Sequence, residues 1–197
     1  MTAPTIVVSM GTYFHPFDRL LEWIEPWAEA HPHVLFVVQH GPGRPLAGAV
    51  NHEFVAYDYL LELFTDADVV VLQGGAGGVM DARELGRIPI VVPRRPVDDE
   101  VVDDHQLIFT GKAAELGLVH CADSRDELWA LLDGALDGTV STRHDDHEHT
   151  PGSATLAALL ADSPESLPLA ARRRRLARSL RLLIGRGASR GATKERE

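Results

Sequence analysis

Residues 69–84 read V-V-V-L-Q-G-G-A-G-G-V-M-D-A-R-E, and this stretch decides the fold. Its apolar start predicts a buried strand, and the residues after the glycines predict a helix over 79–85. Glycines at the start of a helix let the backbone approach a ligand closely, and the exposed N–H groups favour an anion. We therefore expect a phosphate or pyrophosphate at Gly75–Gly78. A tight strand-to-helix turn without a ligand is the alternative.

Similar units run along most of the chain. Continuously apolar strands that alternate with helices indicate a parallel sheet that is covered on both faces. The fold class is therefore predicted as α/β, with a doubly wound, mostly parallel, Rossmann-like sheet. Strands are predicted over 5–8, 34–38, 54–56, 68–72, 88–92 and 118–120, and helices over 17–30, 57–64, 79–85, 102–116 and 125–136.

Ligands of doubly wound sheets bind at the carboxyl ends of the strands, which here selects three loops. Besides the glycine-rich loop, the sequence S-M-G-T follows the first strand, where Gly11 permits close approach and Thr12 offers an N–H and a hydroxyl to a phosphate. The third loop follows Pro93 and leads into a helix that begins near 103–106. Its Asp, His and Gln side chains are suited to sugar hydroxyls, but local sequence alone favours helix capping by Asp103 or Asp104 within a solvated charge run.

A dinucleotide-binding site is the rival interpretation of the glycines. That fingerprint follows the first strand and has an acidic residue at the end of the next one. Here the glycines follow the fourth strand, and the next strand ends at Pro93 with Arg94 and Arg95 behind it. We therefore do not expect NAD.

Charge is divided unevenly along the chain. Residues 171–197 hold ten Arg or Lys residues and two Glu residues, which gives them a net charge of +8. Because the whole chain has a net charge of −10, residues 1–170 carry a net charge of −18. An acidic body argues against nucleic acid as a partner. Within residues 169–186, apolar residues recur at helical spacing and basic residues occupy much of the rest. This pattern makes the segment a candidate for peripheral membrane contact or for binding an acidic partner. A solubilising tail that contacts the acidic body is the alternative.

Composition sets the remaining boundaries. The organisation is predicted as a globular domain over 1–138, a polar linker with a short helix over 139–168, and a basic amphipathic helix with a disordered tail over 169–197. A single cysteine, Cys121, excludes an internal disulfide and fits the cytoplasm. The sequence H-D-D-H-E-H at 144–149 reads as a solvated loop, and no metal site is expected.

Taken together, these motifs resemble the C-terminal domain of glycosyltransferase family 28, which is half of a GT-B fold. The resemblance covers about Thr5–Leu132. It rests on the order and spacing of six pieces, which are Gly11-Thr12, Phe17-Asp18-Arg19-Leu20, Ala67-Asp68, Gly74–Gly78, Pro89–Pro93 and Asp104-His105-Gln106.

The resemblance implies a donor site for a UDP-sugar without an essential metal or cofactor. Gly11 and Thr12 would hold the diphosphate together with the glycine-rich loop, and Asp81 would bind the ribose, with Glu84 as the fallback. His105 and Gln106 would face the sugar. The glycine-rich loop comprises Gln73, Gly74, Gly75, Ala76, Gly77 and Gly78.

Two features set this chain apart from the family pattern. The family often has His where Gln73 stands, and an amide cannot carry the cationic charge that would help a diphosphate to leave. The ribose carboxylate falls on an aspartate, which is one methylene shorter than the usual glutamate.

The resemblance also implies a second half that holds the acceptor and often the catalytic base. This half is expected on a partner chain, which the lipid-linked acceptors of related enzymes would place at a membrane. The catalytic base is then absent from this chain unless His15 supplies it. The predicted activity is therefore inverting transfer of a hexosamine or hexose, by a cytoplasmic or peripheral protein. The alternative is a non-catalytic UDP-sugar-binding or regulatory module. A UDP-sugar epimerase would need both halves within one chain.

Overall fold

The structure, a computed structural model, describes residues 3–144, which all belong to the first of two compact units, Met1–Gly152. Strands and helices alternate along this part of the chain, except that the second strand is followed by the third without a helix between them. The strands are Thr5–Ser9 (β1), Leu35–Gln39 (β2), Val50–His52 (β3), Val69–Gln73 (β4), Ile90–Val92 (β5) and His120–Cys121 (β6). The helices are Asp18–Ala30 (α1), Tyr57–Asp66 (α2), Ala76–Glu84 (α3), His105–Glu115 (α4) and Arg125–Asp137 (α5), with a 3₁₀ turn at Pro96–Asp98.

The strands form one sheet in the order β3-β2-β1-β4-β5-β6, and every neighbouring pair is parallel. The chain moves outward from β1 to β3, returns to the other side of β1 at β4, and then moves outward again. This is the doubly wound order in which ligands bind where the strand order reverses, between β1 and β4. The predicted fold class is confirmed.

Apolar side chains leave the sheet on both faces, as expected of buried parallel strands. On one face Ile6 and Val71 pack in a core with α1 and α5. On the other face Val7 and Val70 pack in a second core with α2, α3 and α4. The helices therefore fix both faces of the sheet and leave its carboxyl edge to the loops.

The bounds of several predicted elements were wrong. The helix predicted over 79–85 begins at Ala76, so that Gly77 and Gly78 lie in its first turn. The third strand was predicted over 54–56 but lies at Val50–His52, where it pairs with β2. The helix predicted from Val102 begins at His105, because the chain first makes the 3₁₀ turn and a left-handed residue at Asp99. The short helix predicted within the linker and the basic helix over 169–186 lie outside the described residues. No described helix is long and apolar enough to cross a membrane.

The last helix has a side-chain cap that is open to test. The Ser124 hydroxyl accepts a hydrogen bond from the backbone N–H of Glu127 at 3.3 Å, and the Glu127 carboxylate accepts one from Asp123 N at 2.7 Å. Ser124→Ala should lower the free energy of unfolding in urea by about 1 kcal/mol, because an N-terminal amide of α5 loses its partner. Ser124→Asn, which retains a capping oxygen, should stay within about 0.5 kcal/mol of the wild type. Equal losses in the two variants would contradict the capping role.

Candidate functional site

A cavity of about 350 Å³ lies at the carboxyl ends of β1 and β4. Its size is within the roughly 300–1,000 Å³ range of small-molecule sites. Residues that are far apart in sequence form its walls, which are Ser9, Gly11, Thr12, Gln39, Val55, Tyr57, Leu60, Phe64, Leu72, Gln73, Gly75, Gly77, Gly78 and Asp81. The loops after β1 and β4 therefore meet at the reversal of the strand order, as the sequence predicts.

Glycine is required at position 11 for two reasons. Gly11 has a φ of +70°, which favours glycine, and a Cβ there would lie 2.2 Å from Nε2 of Gln73. Its carbonyl oxygen accepts a hydrogen bond from Nε2 of the buried Gln39 at 3.2 Å. The β1 loop is thus held against the ends of its two neighbouring strands.

The glycine-rich loop opens directly into the N-terminus of α3. Gly75 is the N-cap and provides no side-chain acceptor, so the first-turn N–H groups of Ala76, Gly77 and Gly78 have no partner within the helix. A Cβ on Gly77 would meet nothing within 4 Å, and Gly77 and Gly78 line the cavity. Free amides and the positive end of the helix dipole make this wall suited to an anion.

Gly74 faces away from the cavity, although the sequence places it among the donor-binding residues. A Cβ on this buried residue would lie 2.6 Å from Oγ1 of Thr110 and 3.0 Å from Cβ of Gln106. Gly74 therefore allows α4 to pack closely on the glycine-rich loop. Neither Gly74 nor Ala76 is among the cavity-lining residues, and their contact with a ligand stays a prediction.

Asp81 reaches the cavity from the second turn of α3, and its Oδ1 accepts a hydrogen bond from the hydroxyl of Tyr57 at 2.9 Å. This bond raises the pKa of Tyr57 above its ordinary value, so the hydroxyl remains a donor at neutral pH. A carboxylate has two acceptor oxygens, and only one is engaged by Tyr57 in this pair. Glu84, the fallback, is exposed on the same helix and does not line the cavity.

Gln73 lies between the two loops at the floor of the cavity. Its Oε1 accepts hydrogen bonds from Nε of Arg94 at 2.9 Å and from Nε2 of Gln106 at 3.1 Å. The Nε2 group consequently faces Gly11 and Gly75, whose added Cβ atoms would lie 2.2 Å and 3.0 Å from it. An amide donor therefore points toward the space that the glycines leave open.

His105 and Gln106 take different positions at the start of α4. Gln106 is turned into the protein, where its Oε1 accepts a hydrogen bond from the backbone N–H of Arg94 at 3.2 Å. The His105 side chain is 72% exposed and lies 2.9 Å from Oδ1 of Asp103, whose pKa this contact lowers. Neither residue lines the cavity, so their predicted contact with a sugar stays a prediction.

His15 lies in a second hollow of about 400 Å³, beside Asp18, Arg19 and Glu100. Its imidazole contacts the ring of Phe14, with the ring centroids 4.3 Å apart. The residue follows the Gly11 loop, as the sequence indicates, but it does not line the cavity between β1 and β4. Its role as a base also stays a prediction.

The sequence profile of the glycosyltransferase family 28 C-terminal domain matches residues 5–139, which include every element described above. The chain belongs to this family. The match covers both loops of the cavity together with α3 and α4, so the residues discussed here are part of the family 28 domain. No curated protein matches the chain.

Solved glycosyltransferases share the fold. The glycotransferase of kitacinnamycin aligns with a TM-score of 0.54 and 23% identity, over 71% of this chain and 36% of its own. The calicheamicin glycosyltransferase CalG4 aligns at 0.50 and 17%, over 70% and 36%. The solution structure of ALG13 aligns at 0.52 and 16%, over 78% of this chain and 94% of its own. The family 28 domain thus spans 36% of the length of the first two proteins.

Two cavity residues were missed by sequence reasoning, and so was the role of Arg94, which lies outside the cavity lining. Gln39 ends β2 and Tyr57 begins α2, and the signal for both was their place beside a predicted strand end or helix start. Arg94 was noticed only as an argument against NAD, although it is 1% exposed and holds Gln73. The signal that was available is its position just after β5, at the carboxyl edge of the sheet where ligands of this fold bind, and Arg95 shares that signal.

Titratable side chains of the described residues were compared with the needs of a metal site. Within residues 3–144, no group of three or more His, Cys, Asp or Glu residues is arranged to hold a metal ion. Of the H-D-D-H-E-H stretch only His144 is described, and its Nε2 lies 3.1 Å from the carbonyl oxygen of Arg83. The rest of that stretch lies outside the described residues.

Two glycines of the family 28 domain provide a matched test of the close approach of Gln73 to Gly11. Gly11 and Gly48 both have left-handed backbones, with φ of +70° and +74°, but a Cβ on Gly48 would meet nothing within 4 Å. Gly48→Ala should lower the free energy of unfolding by about 1–2 kcal/mol through its backbone alone. Gly11→Ala should lower it further, because the new methyl group collides with the Gln73 amide.

The excess loss should disappear when Gly11→Ala is made in a Gln73→Ala background. Urea unfolding of the four variants measures it. If Gly11→Ala and Gly48→Ala lower stability equally, the close approach of Gln73 to Gly11 is wrong.

Proposed function

We propose that this chain is the donor-binding subunit of a glycosyltransferase that moves a hexosamine or hexose from a UDP-sugar to an acceptor. The observation that carries the proposal is the cavity at the β1–β4 reversal, where the unpartnered amides of α3 meet the Gly11 loop. Anionic diphosphate is the ligand that such a wall favours. Family membership supports this choice, because the domain is the C-terminal half of a GT-B glycosyltransferase.

The arrangement of side chains gives the nucleotide a direction. The diphosphate occupies the N-terminal end of α3, next to Gly77, Gly78 and the Gln73 amide. Asp81 lies roughly 7.5 Å further along the helix axis from Ala76 at 1.5 Å per residue, and its free oxygen accepts a ribose hydroxyl. The uracil base then lies against the half-exposed wall that Val55 and Tyr57 form.

The proposed reaction is a single displacement that inverts the sugar. The acceptor oxygen forms a bond to the anomeric carbon while the bond from that carbon to the diphosphate oxygen breaks, and the acceptor proton passes to a base. The departing UDP gains negative charge. The amides of Ala76, Gly77 and Gly78 stabilise this charge without an essential metal or cofactor.

A partner chain is proposed to complete the acceptor side. Phe14, Val97, Val102 and Ile108 are between 65% and 86% exposed and lie in or next to the loops after β1 and β5, at the edge of the sheet that carries the site. Large exposed apolar side chains at this edge of the sheet are candidates for contact with a partner. We propose a membrane-associated partner that carries a lipid-linked acceptor, which leaves this chain cytoplasmic or peripheral.

A non-catalytic UDP-sugar-binding or regulatory module is the second candidate. The observation that favours it is Gln73, because an amide stands where the family often has a histidine. In that case the chain would bind the donor and give no transfer with any partner. The two functions therefore share the donor site and differ in turnover.

Asp81→Asn tests the donor site. The full-length chain should bind UDP and UDP-N-acetylglucosamine in titration calorimetry and should not bind NAD. The Asn substitution should weaken UDP binding about 10–100-fold, because a charged acceptor of the ribose hydroxyls is lost. It should also remove the preference for UDP over 2′-deoxy-UDP.

Glu84→Gln is the control for that measurement, since Glu84 lies on the same helix outside the cavity, and its UDP affinity should equal that of the wild type. Weakening by Glu84→Gln alone would move the ribose to the fallback residue. No UDP binding at millimolar concentration would reject the donor site.

His15→Ala tests the base. If His15 accepts the acceptor proton, transfer by the complex of this chain with its co-purified partner should fall about 10²–10⁴-fold. UDP affinity should not change, because His15 lies outside the donor cavity. Full transfer activity in this variant would place the base on the partner chain, and tight UDP-sugar binding without transfer in the wild-type complex would favour the regulatory module.

A further inference from the structure

The orientation of the Gln73 amide is fixed by partners that can only donate. Nε–H of Arg94 donates to Oε1 of Gln73 at 2.9 Å, and the backbone N–H of Arg94 donates to Oε1 of Gln106 at 3.2 Å. Since the second bond fixes the oxygen of Gln106, its Nε2 group also donates to Oε1 of Gln73, at 3.1 Å. Two donors therefore hold the Gln73 oxygen, and its NH₂ group must face the cavity.

Arg94 is a buried cation directly behind this amide. The side chain is 1% exposed and makes no ion pair with any residue of the described range 3–144. The carboxylate of nearby Glu100 is engaged at 2.8 Å by Arg19. Burial lowers the pKa of Arg94 to about 10 and Glu100 partly offsets this effect, so Arg94 is protonated at neutral pH.

We propose that Arg94 and Gln106 position and polarise the Gln73 amide as a donor to the diphosphate, so that Arg94 supplies from behind the cationic help that an amide lacks. The inference rests on the proposed function. The hydrogen-bond chain runs from Arg94 Nε–H to the Gln73 oxygen and from the Gln73 Nε2–H to a phosphate oxygen. A hydrogen bond that withdraws electron density from the amide oxygen makes the N–H group of the same amide a stronger hydrogen-bond donor.

No proton moves along this chain. The bond between the anomeric carbon and the diphosphate oxygen breaks, the electron pair stays on that oxygen, and the polarised N–H stabilises the growing charge. Arg94 and Gln106 are therefore positioning residues, and of these three side chains Gln73 alone touches the ligand.

Arg94 also has a structural role, which the test must separate. Its guanidinium donates to the carbonyl oxygens of Met10, His15, Pro16 and Glu100 at 2.9–3.1 Å. Loss of these bonds alone would lower stability, and it would also weaken diphosphate binding without involving Gln73, because Met10 and His15 flank the Gly11–Thr12 loop. The ratio of the Kd for uridine to the Kd for UDP reports what the diphosphate adds. Gln106→Leu leaves the carbonyl bonds of Arg94 in place and therefore separates the effect of the amide from that of the loop.

The test measures this ratio by titration calorimetry of the full-length chain, with uridine measured in competition. Gln73→Leu should lower the ratio about 10–100-fold, the effect of one hydrogen bond to a charged group. Gln106→Leu, which removes one of the two bonds to Oε1, should lower it roughly 2–10-fold. In the Gln73→Leu background Gln106→Leu should not lower the ratio further, because Gln106 acts through the amide. Arg94→Met should lower the ratio less in that background than in the wild type, because the part of its effect that passes through the amide is already lost.

Arg83→Met is the matched control. Arg83 is also a buried arginine whose pKa is lowered by burial, and it lies toward the far end of α3 and outside the cavity. This variant should lose stability and keep the wild-type ratio. If Arg94→Met fails to fold, Gln106→Leu carries the same comparison.

The outcomes are distinguishable. A wild-type chain that binds neither UDP nor UDP-N-acetylglucosamine rejects the proposed function itself. If the wild type binds UDP and Gln73→Leu keeps the ratio, the amide donor is wrong while the donor site stands. If the losses from Gln73→Leu and Gln106→Leu are independent, Gln106 does not act through the amide and the positioning role is overturned.

Discussion

The parallel pairing of β1 with β4 is the constraint on which the site depends. Ile6 to Ser9 pair with Val69 to Leu72 in register, so both strands end at the same level of the sheet. The chain then leaves β1 toward α1 on one face and leaves β4 toward α3 on the other. Because the two connections diverge, a crevice opens between them, and short glycine-containing loops keep backbone amides at its walls.

The loops at this edge of the sheet have buried carbonyl groups, and Arg94 donates hydrogen bonds to them. The loop after β1 turns its carbonyl groups toward the interior, and buried carbonyl groups need donors. A guanidinium has five N–H groups in a rigid fork, which a lysine does not have. Arg94 donates to four loop carbonyls and to Gln73, with the two hydrogens of Nη1 shared among three of the carbonyls, and so joins the ends of β1, β4 and β5 at one side chain. The desolvation of its charge is the cost of this arrangement, and it is visible in the lowered pKa.

Much of the fold follows from the sequence because apolar runs and glycines are local signals. The strands at Val69–Gln73 and Thr5–Ser9 are buried on both faces, and such strands are continuously apolar in any parallel sheet. The strand at Val50–His52 has no such signal, since three residues with two polar side chains form a strand only by pairing with β2. Its position is a tertiary effect that the more apolar residues 54–56 concealed.

The same distinction applies to the site. The glycines and Asp81 were predictable, because a strand, a turn and a helix place them in one continuous segment. The partners of those residues come from elsewhere in the chain. Tyr57 bonds to Asp81 across 24 positions, and Arg94 reaches Gln73 across 21. Arg94 and Arg95 are adjacent in sequence but differ in burial, because only Arg94 turns under the loops, and no local pattern distinguishes the two.

The two ends of the cavity differ in charge because of these partners. At one end of α3 the free amides and the Arg94-backed Gln73 favour an anion, while further along the helix Asp81 repels one. A ligand that carries a diphosphate and a polyol therefore has one favourable orientation. In the reversed orientation its phosphate groups would lie against the Asp81 carboxylate, and its hydroxyl groups would lie next to Gln73 and Arg94. The hydrogen bond from Tyr57 keeps one oxygen of Asp81 engaged and so limits how far this carboxylate can turn toward the phosphate end. Orientation in such a site is thus set by like-charge repulsion as much as by attraction.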